Sequence, residues 1–203
     1  EAAVAGTVSR VARLAVERKR IDREARKAYA TDLASGLPNH SQLMEHMTHL
    51  LALREREPAA MALLAVRLEG LHTVAARFGE ESAQVLRRKA AVRVRAGLRA
   101  SDVVAALGND TFAVLLAWID DPANAAQVAS KLVASLQRPF SVAGQELALA
   151  VSVGVSRYPE HGKAAEALLR MAQQEASVPA LGRSGLANTL ERGVPAAAND
   201  DEA

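Results

Sequence analysis

Two short segments carry the groups best able to do chemistry. Arg99-Ala-Ser-Asp102 sets a guanidinium and a carboxylate three residues apart, just before an apolar run. An arginine fork donates two parallel hydrogen bonds to a planar acceptor or a phosphate, and a carboxylate accepts from ring N–H or amino groups. With the arginine at a helix C-terminus, the same pair also reads as a surface ion pair worth well under about 1 kcal/mol. Further on, the turn Gly108-Asn109-Asp110 between two apolar stretches carries a lone carboxylate at its tip. Upstream, Arg67 and Glu69 stand two apart in a strand pattern and so share a face, where a salt bridge is as good a reading as catalysis.

Other chemistries lack support. The chain has no cysteine, so disulfides and thiolate metal sites are excluded and a reducing compartment is compatible. His46 and His49 are three apart on a helix but read as solvated or partly buried rather than as metal ligands. Met44 and Met47 read as core filler. No Ser-His-Asp arrangement and no glycine-rich phosphate loop is present. The net charge is only +2, and the basic run RRKAAVRVR alternates with alanine and valine, which reads as a solvated helix face. Aromatic residues make up 3% of the chain, against a stacking platform for single-stranded nucleic acid, and no nucleic-acid partner is expected. No apolar run approaches the roughly 20 residues of a membrane span.

These groups need a scaffold, and the pattern supplies one. Residues 1–31 show apolar positions at alternating steps of three and four, a weak heptad seam interrupted by Thr7 and Arg18, which predicts a helix suited to homodimerisation. Gly36 and Pro38 end it. A helix follows from about Ser41, as N-cap, to about Glu57. MALLAVRLEG predicts a buried strand, and residues 71–99 a helix broken near Gly79. Strands are expected near 102–107 and 111–117, joined by a turn in which Gly108 and Asn109 tolerate positive φ. Asp121 and Pro122 start a helix to about 137. A short strand, a turn at Ala143-Gly144, a long strand and a helix over about 163–177 complete the order. The mixture is α+β, and the stretch ending VPAAANDDEA predicts a flexible tail.

Four stretches, taken together, resemble the GGDEF domains of the diguanylate cyclase family. DLASGLPNHSQL matches the family's opening signature, RFGEESAQVL its FGHxxGDxxL segment, ALGNDTFAVLL its RxGGDEFxxLL hairpin, and SVGVSRYPEHG its SxGxxxYPxxG strand. The resemblance implies a five-stranded, mostly antiparallel sheet flanked by helices, as in nucleotide cyclases. It divides the chain into an N-terminal coiled-coil helix (1–31), a GGDEF domain (32–185) and a tail (186–203). The context implied is a bacterial cytoplasmic signalling domain, with a sensor or membrane anchor upstream left open.

The resemblance also assigns positions. The family joins two GTP molecules using two metal ions, which need hard carboxylate ligands. Its first metal-binding aspartate falls at Arg67 and its second acidic position at Glu69. The signature reads Gly108, Asn109, Asp110, Thr111 and Phe112, keeping one carboxylate and losing the next. The guanine-reading positions become Ala75 and Gln84, and the C-terminal lysine falls at Pro179 or Ala180, with Arg183 nearby. This implies a degenerate, inactive cyclase homologue with no metal and no catalytic cofactor. The family's inhibitory product site, Arg-x-x-Asp five residues before the signature, matches Arg99 and Asp102, with Lys131 as an assisting base. Cyclic di-GMP is therefore the expected regulatory ligand, and a module that binds only another signalling protein is the alternative.

Overall fold

The strand Met61–Glu69 (β1) is buried along nearly its whole length, and its alternation decides the architecture. Ala62, Leu64, Val66 and Leu68 enter one hydrophobic cluster, whereas Met61 and Leu63 enter another. A strand buried on both faces needs a helical layer on each side, because successive side chains point to opposite faces. The structure, a computed structural model, describes Glu17 and residues 31–178.

Helix His40–Arg56 (α1) precedes β1; helices Leu71–Phe78 (α2) and Glu80–Ala96 (α3) follow it. Strands Val103–Ala106 (β2) and Thr111–Leu116 (β3) form a hairpin, and helix Pro122–Leu136 (α4) leads to the small hairpin Phe140–Val142 (β4) and Gln145–Leu147 (β5). Strand Ala150–Tyr158 (β6) and helix Ala165–Ser177 (α5) end the described order. The main sheet runs β2-β3-β1-β6, all antiparallel. Residues of α2, α3 and α4 fill the cluster on one face, and residues of α1 and α5 that on the other.

The expected single five-stranded sheet is corrected here to four strands plus a separate pair, β4-β5. The long strand that the sequence suggested divides at Ala148 and Leu149. Ala143 (φ 51°) and Gly144 (φ 76°) take the doubly left-handed turn that suits a two-residue hairpin. That hairpin is held on α3 instead of the main sheet: Lys89 donates to the Ser141 carbonyl, and the Arg93 guanidinium lies 3.6 Å from the Phe140 ring centre.

Local signals explain the remaining boundaries. Gly79 (φ 86°) breaks the predicted helix into α2 and α3. Asp121 caps α4 by accepting from the Ala123 amide at 2.7 Å, with Pro122 in the first turn. The N-cap of α1 is Asn39, not Ser41; its side chain accepts from the Gln42 amide at 3.1 Å. Gly108 and Asn109 do not take positive φ, so the signature turn is not held by left-handed residues. Instead the Leu107 amide bonds to the Thr111 carbonyl at 2.9 Å, and the Leu68 amide to the Asp110 carbonyl at 2.7 Å.

At Gly154 the backbone of β6 lies so near α5 that a Cβ would stand 2.1 Å from the Ala172 carbonyl oxygen. Ala65, Ala172 and Ala176 line the same contact. Small residues on both elements thus set how closely α5 crosses the sheet, and with it where the end of α5 meets the end of β1. The expected N-terminal helix, the positions Pro179, Ala180 and Arg183, and the C-terminal tail lie outside the described residues.

Candidate functional site

The segment between α3 and β2 folds on its own backbone. The Asp102 amide bonds to the Arg99 carbonyl at 3.1 Å, and the Asp102 carboxylate accepts from the Arg99 amide at 2.9 Å. Arg95 donates to the Asp102 carbonyl at 2.6 Å. Asp102 is therefore buried and fixed, whereas Arg99 is exposed. The side-chain ion pair between them, allowed by their spacing, is not formed among the described residues, and the Arg99 fork is left for another acceptor.

Across from this turn, one face of α4 presents Asn124, Gln127 and Lys131, at the helical steps of three and four that bring side chains together. Arg99, Asp102 and Lys131 line one cavity of about 160 Å³. Trp118, just beyond β3, lines it too and is 55% exposed. In the sequence alone Trp118 is only one of few aromatic residues. Its place beside the Arg99 turn depends on β3 returning past the end of α3, which no local pattern shows. Over its ring, 4.8 Å from the centre, lies the guanidinium of Arg54 from α1, which also donates to the Ala117 carbonyl at 2.7 Å.

The signature positions gather elsewhere. Arg67 and Glu69 continue the β1 row that faces α1 and α5, emerging past the last apolar side chains of that face. Arg67 is paired across the strands with Thr111, and its Nε lies 3.5 Å from the Asp110 carboxylate. The other Asp110 oxygen accepts from the Thr111 hydroxyl at 2.8 Å. The same-face contact expected between Arg67 and Glu69 is corrected: Glu69 accepts instead from the Ser152 hydroxyl on β6, because the neighbouring strands offer nearer partners than the position two residues along. Arg67, Asp110, Thr111, Gln173, Ala176 and Ser177 enclose a cavity of about 230 Å³. Ala75 on α2 and Gln84 on α3 line neither cavity.

A third arrangement was hidden in the basic run. Arg87 is not solvated as its run suggested; it is buried at 5% exposure. It donates to the Asp32 carboxylate at 3.0 Å and to the Gly108 carbonyl at 2.5 Å. Burial pushes the Asp32 carboxyl upward, but hydrogen bonds from Ser35 and Arg87 outweigh it and hold the group below its ordinary 3.8. The turn after the N-terminal segment is so tied to the carbonyl that opens the signature.

An antiparallel sheet with helices on both faces, a carboxylate-tipped β2-β3 hairpin and an Arg-x-x-Asp turn before it define a cyclase-like α+β domain. A sequence profile described as "Diguanylate cyclase, GGDEF domain" matches residues 29–178, and the chain belongs to the GGDEF family. It is 31% identical over 161 residues to the bifunctional diguanylate cyclase/cyclic di-GMP phosphodiesterase MucR of Pseudomonas aeruginosa, covering 79% of this chain and 23% of that protein. It is also 31% identical over 139 residues to the diguanylate cyclase TpbB of the same species, covering 68% of this chain and 32% of TpbB. The chain thus spans a third or less of the length of these relatives. The solved GGDEF domain of TpbB superposes with a TM-score of 0.70 at 30% identity, over 72% of this chain and 86% of that one. A sensory box/GGDEF family protein from Caulobacter crescentus gives 0.68 at 31% identity, over 72% and 95%.

Proposed function

We propose that this chain is a GGDEF domain without cyclase activity that binds cyclic di-GMP between Arg99, Asp102 and Lys131 and signals its bound state to a neighbouring module or a second copy. The observation that carries this reading is the shared cavity: a free arginine fork and a fixed carboxylate from the turn before β2 converge on it with an ammonium from α4. Arg99 suits the two acceptors on the Hoogsteen edge of guanine. The lone pairs left on Asp102 suit its N1–H and amino group, and Lys131 suits a phosphate as a point charge. MucR and TpbB, by their names, make or degrade this dinucleotide, so a relative that senses it uses chemistry already near at hand.

Catalytic silence rests on the other cavity. A pair of divalent ions bridging triphosphates requires several hard oxygens with no cation among them. Here Arg67 sits against Asp110, and Glu69 is occupied by Ser152. This donor set does not fit two metal ions. Dimerisation through the N-terminal heptad seam belongs to the same proposal.

Calorimetric titration of the chain with cyclic di-GMP, beside Arg99→Ala and with GTP plus Mg2+ for comparison, tests the reading. Micromolar or tighter binding that the variant loses is expected, with no GTP turnover. Absence of heat with cyclic di-GMP from a folded sample overturns the receptor reading and leaves a protein-docking module. Formation of cyclic di-GMP from GTP overturns the silence.

A further inference from the structure

Trp118 is the single tryptophan of the chain, and it stands half in solvent on the wall of the Arg99 cavity. An indole left 55% exposed forgoes much of the stabilisation that burying so large an apolar surface gives, so its position calls for a second account. Arg54 supplies part of it. That arginine is 4% exposed, anchored to the Ala117 carbonyl, and its Nε has no hydrogen-bond partner among the described residues. Its guanidinium lies over one face of the ring and restrains it. A ring held on one face by a buried cation and open elsewhere is prepared for a flat ligand.

We propose that Trp118 is the aromatic platform of this cavity, stacking on a guanine base whose edge is read by Arg99. The inference rests on the cyclic di-GMP reading above and adds the residue that fixes the base plane. The cavity, about 160 Å³, is smaller than the roughly 300–1,000 Å³ that encloses a drug-sized ligand. It therefore takes one base, and the remainder of the dinucleotide extends past Lys131 over the surface. With one base enclosed, hydrogen bonds to its edge fix position but not tilt. A stacked indole fixes tilt, and Arg54, base and indole form a layered arrangement in which the ring lies between two planar partners.

The tryptophan is its own reporter. Cyclic di-GMP is titrated into the full chain while tryptophan emission and heat are followed, with Trp118→Ala, Trp118→Phe and Arg99→Ala in parallel and circular dichroism recording the fold. The expected result is a saturable emission change whose midpoint matches the calorimetric one. Trp118→Ala then weakens binding roughly ten-fold or more, the scale of one base–aromatic stack, and Trp118→Phe by less. If Trp118→Ala binds as wild type while Arg99→Ala does not, the platform is overturned and the cyclic di-GMP reading stands. If wild type binds nothing, both fall together.

Discussion

Arg87 and Asp32, 55 residues apart, meet at 3.0 Å, and the same guanidinium holds the Gly108 carbonyl at the start of the signature turn. The contact joins the turn at residues 32–37 to the hairpin that carries Asp110. Because Arg87 is buried beneath the Phe112 ring, its loss leaves Asp32 held by Ser35 alone, takes this donor from the Gly108 carbonyl and opens a void. Arg87→Ala is expected to destabilise the fold by roughly 2–4 kcal/mol, and Asp32→Asn by less, since the amide still bonds Ser35. Urea unfolding of both variants and the double variant measures the coupling.

The same carboxylate gives the fold an acid dependence of defined sign. Asp32 titrates below its ordinary 3.8 in the folded state, so between the two values the unfolded chain binds more protons. Its contribution is complete above the unfolded value and is lost as pH falls through the lowered folded one. The urea midpoint of wild type is expected to fall in that acid window more steeply than that of Asp32→Asn. Parallel acid dependence in the two proteins would sink the assignment.

The sequence showed most of the scaffold because periodicity is a local property. β1, the break at Gly79, the Asp121 cap and the Ala143-Gly144 turn each follow from residues within a few positions. Arg99, Asp102 and Lys131 were set together through the family likeness, and the structure lines one cavity with all three. What stayed hidden depends on contacts between distant segments. Arg87 looks like any arginine of an alternating basic helix until Asp32 and Gly108 arrive beside it. Trp118 looks like surface until Arg54 stacks on it. The division of the last strand at Ala148 and Leu149 depends on α3 capturing the β4-β5 hairpin.

Arg67 and Asp110 test whether a contact at the signature is a stabilising device. Both side chains are more than two-fifths exposed and 3.5 Å apart. An ion pair so placed is worth under about 1 kcal/mol. Arg67→Ala is therefore expected to leave the melting temperature nearly unchanged. On the proposed reading it is also expected to give no GTP turnover with Mg2+ or Mn2+, because removing a cation adds no carboxylate ligand. A turnover signal in either protein, followed by product chromatography, would show that Asp110 and Glu69 suffice for a metal-dependent reaction.

Gly154 is the position where a single methyl group has the largest expected effect. A Cβ there would stand 2.1 Å from the Ala172 carbonyl oxygen, 2.5 Å from the Ala176 amide nitrogen and 2.8 Å from the Glu175 Cβ. The nearest two atoms are backbone of α5, so rotating a side chain cannot relieve the clash and the helix must lift from β6. Lifting it also separates the Glu175 carboxylate from the Val155 amide, 2.6 Å apart at the outer edge of the sheet. Gly154→Ala is expected to cost about 3 kcal/mol or more, at the upper end of overpacking effects. Since α5 walls the Arg67 cavity and not the Arg99 cavity, ligand binding at Arg99 should survive in whatever fraction folds. Thermal melting with and without cyclic di-GMP separates these two effects.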